Sequence, residues 1–211
     1  MNLVAQYTPS ISGEVLCPGD KSISQRAVII GSLLNEDIEI SGFLNGEDPI
    51  STANALNAIG SSIKINGTSV SIKKRDIPFK DPSVNVDLGN SGTGMRLMMG
   101  LISSLGIKAT LVGDESLTKR PMLRVANPLN DMGATVTCNE GKPPVKILDG
   151  LIKDNFSYEM PIASAQVKSS IILAALAANK KATVIEKHPT RNHTERMISY
   201  FNGDIHTESQ G

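Results

Sequence analysis

Residues 13–34, GEVLCPGDKSISQRAVIIGSLL, contain the pattern that decides the fold of this chain. A short apolar stretch ends at a Pro-Gly pair, and apolar residues then recur with helical spacing from Ile23 to Leu34. Proline and glycine together typically end a strand. The stretch therefore predicts a strand over residues 13–19 and a helix over residues 21–34.

The same succession of elements recurs along the chain with a period of about 70 residues. Each copy has a strand, a helix, a second strand, a second helix and a pair of strands, and the copies span about 13–80, 81–150 and 151–211. Alternating strands and helices of this kind favour an α/β (α+β) fold. We predict that three repeated βαβαββ units form one domain.

The remaining elements are predicted from apolar periodicity, turn residues and helix-ending glycines. They are a strand over 38–43, a helix over 48–59 and a hairpin over 62–74; a strand over 84–89, a helix over 94–105, a strand over 108–114, a helix over 121–132 and a strand pair over 134–150; and a strand over 156–162, a helix over 165–178, a strand over 181–187, a helix over 194–201 and a strand from 204.

The last copy has only one arm of its final strand pair, which predicts that the repeat is truncated and that the chain is a piece of a longer protein. Residues 1–12 fit no part of the repeat. We expect them to form an N-terminal segment that pairs with a second domain outside this chain.

Composition excludes several function classes. Lys and Arg total 21 and balance 21 Asp and Glu, Trp is absent and aromatic residues make up 3%, a profile unlike that of nucleic-acid-binding proteins. The N-terminus lacks the features of a signal peptide, and the apolar run over 171–178 is too short to cross a membrane. We predict a soluble, cytoplasmic protein in which Cys17 and Cys138 are free thiols.

The three junctions between a first strand and a first helix resemble one another: PGDKSISQR at 18–26, LGNSGTGMR at 88–96 and PIASAQVKS at 161–169. Helix N-termini expose unpaired N–H groups and the positive end of the helix dipole, so they bind anions. If the copies pack around a common axis, the three helix starts converge on one site for a ligand that carries phosphate and carboxylate groups.

Cationic side chains flank these junctions: Lys21, Arg26, Arg96, Arg120, Lys168 and Arg191. Any one of them alone is most often a solvated surface charge. Ser22, Ser91 and Ser164 taken singly are ordinary helix caps. It is their recurrence at one position of the repeat that indicates a site.

Five motifs in this order, PGDKSISQRA, LGNSGTGMRL, KRPM, SAQVKS and TRNHTE, resemble those of the 5-enolpyruvylshikimate-3-phosphate (EPSP) synthase family, over about residues 13–211. The resemblance implies the first half of an enolpyruvyl transferase fold, whose domains each contain three βαβαββ units. It also implies transfer of the enolpyruvyl group of phosphoenolpyruvate to the 5-hydroxyl of shikimate 3-phosphate, with release of phosphate and with no cofactor or metal.

The resemblance assigns roles residue by residue, with Lys21 as the catalytic residue that contacts both substrates. The residues implied for shikimate 3-phosphate are Lys21, Ser22, Arg26, Ser164, Ala165, Gln166 and Arg191. Those implied for phosphoenolpyruvate are Lys21, Gly92, Arg120 and Gln166, with Asn90, Thr93 and Arg96 in support.

Two residues depart from the pattern of many family members, which carry proline in place of Leu97 and serine in place of Ala165. The catalytic Asp of the family lies in its other half, so we expect the isolated chain to be inactive without that half as a partner. Glyphosate is the implied inhibitor, because in this family it occupies the phosphoenolpyruvate site, where Gly92 leaves room for it.

Two alternatives remain at this point. A fragment of UDP-N-acetylglucosamine enolpyruvyl transferase shares the fold, but that family usually has Lys-Asn where this chain has Lys21-Ser22. It also commonly has a reactive cysteine near KRPM, and residues 112–122 contain none. The other alternative is a non-catalytic half-protein that binds a phosphorylated ligand.

Overall fold

Apart from the first and the last predicted strand, the helices and strands follow the order that the repeat predicts, in a computed structural model that describes residues 3–148 and 150–208. The elements are α1 (Lys21–Gly31), β1 (Ile38–Ile40), α2 (Glu47–Ala58), β2 (Ser62–Asn66), β3 (Ser69–Lys73), β4 (Val86–Asp87), α3 (Gly92–Ile102), β5 (Ala109–Val112), α4 (Leu123–Asp131), β6 (Thr135–Asn139), β7 (Lys142–Leu148), β8 (Phe156–Glu159), α5 (Ala165–Ala178), β9 (Ala182–Ile185) and α6 (His193–Tyr200). The predicted α/β class is confirmed.

Within the described residues, strand pairing joins neighbouring elements into three sheets, with orders β1-β3-β2, β4-β5-β7-β6 and β8-β9. The strands on either side of a first helix run parallel, as β4 with β5 and β8 with β9, whereas the two strands of each later pair are antiparallel. Side chains alternate between buried and exposed along β7, because one face of its sheet packs on the helices.

Two tight turns close the antiparallel pairs β2–β3 and β6–β7. Gly67 follows β2 with φ +59°, and Glu140 and Gly141 join β6 to β7 with φ values of 49° and 78°. Two-residue hairpins favour positive φ at their central residues, because that geometry matches the twist of the strands.

The first helices of the units, α1, α3 and α5, form the centre of the molecule. Nearly every residue of α3 is buried, and α3 packs directly against α5. A methyl group at Gly100 of α3 would lie only 2.2 Å from the carbonyl oxygen of Ser170 on α5. The two backbones approach this closely because glycine has no Cβ, and their contact fixes the relative position of the two helix starts.

Two predicted strands are wrong. Residues 13–19 form no strand, and neither do residues 204–208 of the strand predicted from 204; Ser209 lies outside the described residues. Val15 and Leu16 are 85% and 100% exposed, whereas Val86, in the corresponding strand of the second unit, is 1% exposed. Apolar residues favour an extended backbone, but a strand also needs a hydrogen-bonding neighbour and a surface to cover.

Residues 3–18 have exposed side chains throughout. The association of residues 1–12 with a second domain, and the division of residues 13–211 into three units of one domain, stay predictions. Met1, Asn2, Asp149 and residues 209–211 lie outside the described residues.

Cys17 and Cys138 are free thiols, as predicted. Burial raises the pKa of the Cys138 thiol. No helix within residues 3–148 and 150–208 combines the length and hydrophobicity that a membrane crossing needs. Those residues also contain no cluster of His, Cys, Asp and Glu side chains that could hold a metal ion.

Candidate active site

Five helix N-termini surround a cavity of about 360 Å³. Its walls come from the first turns of α1, α3, α4, α5 and α6. The lining residues are Lys21, Ser22, Arg26, Thr93, Arg124, Ser164, Ala165, Gln166, Arg191 and His193. Cations are frequent in this set and it contains no carboxylate, so the cavity suits an anionic ligand.

The caps of the three central helices differ from the prediction at one position. Asp20 caps α1 by accepting a hydrogen bond from the Ile23 amide at 2.7 Å, whereas Ser22 lies inside the first turn. Ser91 and Ser164 cap α3 and α5 as predicted. Because Asp20 takes the cap, the Ser22 hydroxyl is not needed there and Ser22 lines the cavity.

Arg26 is buried at the base of the cavity and is bound by protein groups on each of its nitrogens. Nε donates to Thr194 Oγ1 at 2.7 Å, Nη1 to the Ser22 carbonyl at 3.0 Å and Nη2 to Ser169 Oγ at 3.0 Å. Desolvation lowers the pKa of Arg26, while the nearby Glu195 carboxylate opposes that shift. A ligand would meet a guanidinium that is already fixed in position.

Lys21 lies at the mouth of the cavity, where its ammonium pairs with Asp48 at 3.1 Å. Asp48 lies in the first turn of α2, and its carbonyl accepts a hydrogen bond from the buried Gln25 side-chain amide at 3.3 Å. Gln25 also donates to Ser91 Oγ at 2.5 Å, which connects α1 to the cap of α3. The two helix starts are therefore held together by buried side-chain hydrogen bonds.

Gln166 joins the starts of α3, α4 and α5. Its Oε1 accepts from Arg96 Nη1 at 2.8 Å and from Arg124 Nη2 at 3.2 Å, and its Nε2 donates to Thr93 Oγ1 at 2.9 Å. These contacts fix the orientation of the amide at the wall of the cavity.

Gly92 marks a second part of the site, beside the cavity. A methyl group at Gly92 would lie 2.8 Å from Arg120 Nη1 and 3.3 Å from Arg96 Nη1. The glycine backbone therefore faces both guanidiniums. This second part does not line the cavity itself; it consists of Gly92, Asn90, Arg96 and Arg120. It is connected to the cavity by the hydrogen bond from Arg96 to Gln166, which does line the cavity.

The guanidiniums of Arg96, Arg120 and Arg124 are called here the arginine cluster, because Arg120 and Arg124 both lie close enough to repel Arg96. Desolvation, followed by the charges of Arg124 and Arg120, lowers the pKa of Arg96 to about 10. Arg96 thus stays protonated at neutral pH. The Nε–H of Arg96 is buried and has no hydrogen-bond partner in the described part of the chain.

Asn90 positions Arg120, the member of the cluster nearest to Gly92. The Asn90 Oδ1 accepts a short hydrogen bond from Arg120 Nη2, and its Nδ2 donates to Asp114 Oδ2 at 2.8 Å. Hydrogen bonds from the Leu117 amide and from Asn90 hold the pKa of Asp114 below its usual value. Asn90 therefore links Arg120 to Asp114, and its predicted supporting role stays a prediction.

Lys168 does not reach the cavity. Its ammonium is buried on α5 between Glu186 and Glu195, at 2.7 Å and 2.6 Å. Glu186 also accepts a short hydrogen bond from Thr190 Oγ1, in the segment that carries Arg191. We call Lys168, Glu186 and Glu195 the buried ion triad; it ties α5 to α6 and to the loop that precedes α6.

Several residues of the site were not predicted from the sequence: Gln25, Asp48, Arg124, Glu186, His193 and Glu195. Arg124 follows the KRPM motif by two residues, and this spacing could have drawn attention to it. Asp48 and Glu186 belong to no motif, because their importance comes from partners distant in sequence. A larger groove of about 430 Å³, lined mainly by apolar residues, contains none of the predicted site residues.

Comparison with known proteins identifies the family of this chain. A family model for EPSP synthase (3-phosphoshikimate 1-carboxyvinyltransferase) matches residues 6–211. This chain belongs to the EPSP synthase family. The 3-phosphoshikimate 1-carboxyvinyltransferase of Ruthia magnifica is 47% identical over 199 residues, which are 94% of this chain and 46% of that protein.

Two further proteins of the EPSP synthase family are similar to this chain over nearly all of its length. The enzyme of the same name from Thermoanaerobacter sp. is 45% identical and covers 97% of this chain and 48% of its own length. The solved structure of EPSP synthase from Acinetobacter baumannii matches with a TM-score of 0.87 and 41% identity, over 93% of this chain and 45% of that one. The chain therefore spans about half the length of its EPSP synthase relatives.

Proposed function

We propose that this chain supplies the shikimate 3-phosphate pocket, and one wall of the phosphoenolpyruvate pocket, of a 3-phosphoshikimate 1-carboxyvinyltransferase. The observation that carries the proposal is the cavity lined by Lys21, Arg26, Ser164, Gln166 and Arg191, beside a glycine that faces two further arginines. Phosphate and carboxylate groups would satisfy these cations and helix N-termini. The cytoplasm, as the sequence predicts, is the proposed compartment.

Each side chain has a proposed task. Ser164 and the Ala165 amide would bind the 3-phosphate at the start of α5, with Arg191 adding charge, and Ser22 and Arg26 would hold the rest of the shikimate ring. Arg120 would bind phosphoenolpyruvate at Gly92, and Gln166 would connect the two substrates. Lys21, held near the cavity by Asp48, would contact both and serve in proton transfer.

Titration of the isotopically labelled chain with shikimate 3-phosphate tests this proposal. We expect amide shifts near Ser22 and Ser164, with weak affinity, because one wall alone excludes little water. Arg191→Ala should weaken binding at least about tenfold, since hydrogen bonds to charged groups are among the stronger ones. Arg196→Ala, which removes an exposed arginine of α6 outside the cavity, is the charge-matched control.

Two outcomes contradict the proposal: no shifts with millimolar shikimate 3-phosphate, or an equal response to UDP-N-acetylglucosamine.

An assay of phosphate release separates a split enzyme from a binding module. The chain alone should give background turnover, and adding the remaining half of a related synthase should restore it. Binding of shikimate 3-phosphate without restored turnover would favour the alternative of a non-catalytic half-protein that binds a phosphorylated ligand.

Glyphosate response gives a prediction for Gly92. In the complete enzyme we expect Gly92→Ala to confer glyphosate tolerance with a smaller loss of phosphoenolpyruvate affinity. The added methyl would lie 2.8 Å from Arg120 Nη1, the end of a long side chain rather than backbone, so the fold adapts but the guanidinium shifts from the position that Asn90 gives it. Glyphosate is longer than phosphoenolpyruvate and would lose more space.

Inhibition curves for both forms, at matched phosphoenolpyruvate saturation, measure this effect. Leu97, which replaces the proline of many family members, is fully buried behind the loop. Equal glyphosate sensitivity of the two forms would show that Gly92 does not face the inhibitor.

A further inference from the structure

Arg124 has no assigned role, although it lines the same cavity as the predicted shikimate 3-phosphate residues. It lies in the first turn of α4 and its side chain is exposed. In the part of the chain that the structure describes, its guanidinium makes one hydrogen bond, to Gln166 Oε1 at 3.2 Å, and no ion pair. Most of its N–H donors are therefore available to a ligand.

Two further arginines, Arg96 and Arg120, belong to the same cluster as Arg124 and favour the binding of an anion to its free N–H donors. Arg96 is 5% exposed, donates to the same Gln166 oxygen and retains a buried Nε–H without a partner among the described residues. Arg120 also lies close to Arg96, and both guanidiniums face Gly92. Bringing three guanidiniums together is unfavourable. Among the described residues no carboxylate lies within ion-pair distance of them, and Asp114 interacts with Arg120 only from farther away, so a bound anion would relieve the repulsion.

We propose that Arg124 is a further anion-binding residue of this site, which binds a phosphate group held between Gln166 and Arg120. This inference rests on the proposed function, because it extends the proposed phosphoenolpyruvate pocket from Arg120 past Gln166 to α4. Gln166 then acts as the junction: its oxygen orients Arg96 and Arg124, and its amide nitrogen is held by Thr93. A planar guanidinium suits a phosphate because it donates two parallel hydrogen bonds.

Titration of the chain with inorganic phosphate, monitored at the Gln166 side-chain amide and the Gly92 backbone amide, tests the proposal. Arg124→Met should weaken phosphate binding about tenfold or more. Arg124→Lys should be intermediate, because the charge remains but the paired hydrogen bonds do not. Lys119→Met is the matched control: it removes an exposed cation, paired with Glu115 and adjacent to Arg120, and should leave phosphate binding unchanged.

Equal phosphate affinity of Arg124→Met and the parent chain would overturn the inference. So would the absence of shifts at Gln166 and Gly92 at high millimolar phosphate, since a cluster of three guanidiniums with an exposed Arg124 at its edge should attract a dianion. Shikimate 3-phosphate distinguishes this failure from failure of the proposed function. Shifts near Ser22 and Ser164 with an unaffected Arg124→Met variant would retain the proposed function and reject the role of Arg124.

Discussion

Lys168→Met is expected to lower the free energy of unfolding by about 3–5 kcal/mol, as does removal of one partner from other buried ion pairs. The substitution keeps the apolar part of the side chain but leaves Glu186 and Glu195 without their cation. Their side chains are only 19% and 12% exposed, so water cannot replace it well. Denaturant titration at neutral pH measures the change, which is a large fraction of the stability of a typical domain.

Two comparisons make the test specific to the buried ion triad. Lys73→Met removes a cation from an exposed pair, with side chains that are 60% and 54% exposed, and should change stability little. Glu186→Gln in the Lys168→Met background should recover part of the loss, because it removes one unpaired charge, whereas Glu195 still has Arg26 nearby. A Lys168→Met chain as stable as the parent would mean that the triad does not hold α5, α6 and the Arg191 segment together.

Gly100→Ala is expected to destabilise the chain and to open the site. Helix propensity alone favours alanine by about 1 kcal/mol. The methyl group would nevertheless lie 2.2 Å from the Ser170 carbonyl oxygen and 2.7 Å from its carbonyl carbon, which are backbone atoms that cannot rotate away. Overpacking of this kind typically costs about 1–3 kcal/mol, so steric exclusion should outweigh propensity.

The functional effect follows from the position of Gly100 between the two helices. Separating α3 from α5 would lengthen the contacts of Gln166 with Thr93 and Arg96, which are now 2.9 Å and 2.8 Å. Phosphate and shikimate 3-phosphate binding should both weaken, and the Gln166 side-chain resonances should shift without ligand. Loss of affinity for both ligands in Gly100→Ala would show that the contact between α3 and α5 positions the residues of the site.

Gly46→Ala provides the matched control, because the nearest atom to its added methyl is Leu44 Cγ at 3.6 Å, an ordinary contact. It lies at the start of α2 and should cost no more than about 1 kcal/mol, the effect of a poorer helix cap. A stabilised Gly100→Ala chain with unchanged ligand affinity would contradict the argument for close packing.

Much of the fold could be predicted because its signals are local. The helix predicted over residues 165–178 is α5, Ala165–Ala178, since an uninterrupted helical pattern begins at a serine cap. The β6–β7 pair followed from its alternation and from the glycine in its turn. The strand predicted over residues 13–19 failed because its apolar residues found no neighbouring strand, which no local pattern can report.

The candidate site could also be predicted only in part from the sequence. Repetition at three helix starts indicated an anion site near Lys21, Gly92 and Ser164, and tertiary structure brings α1, α3 and α5 together around one cavity. The pairing of Lys21 with Asp48 could not be predicted, because each charge taken singly looks like a solvated surface group.

By itself, the sequence determined the order of the elements, the starts of the central helices and the family, because periodicity, caps and motifs act over a few adjacent residues. Only the tertiary structure decided which charges meet. It buried Lys168 between Glu186 and Glu195, and it brought Arg96, Arg120 and Arg124 together with no carboxylate of the described residues within ion-pair distance. The physical reason is that Coulomb interaction and desolvation depend on distance and burial in space, which spacing along the chain does not specify.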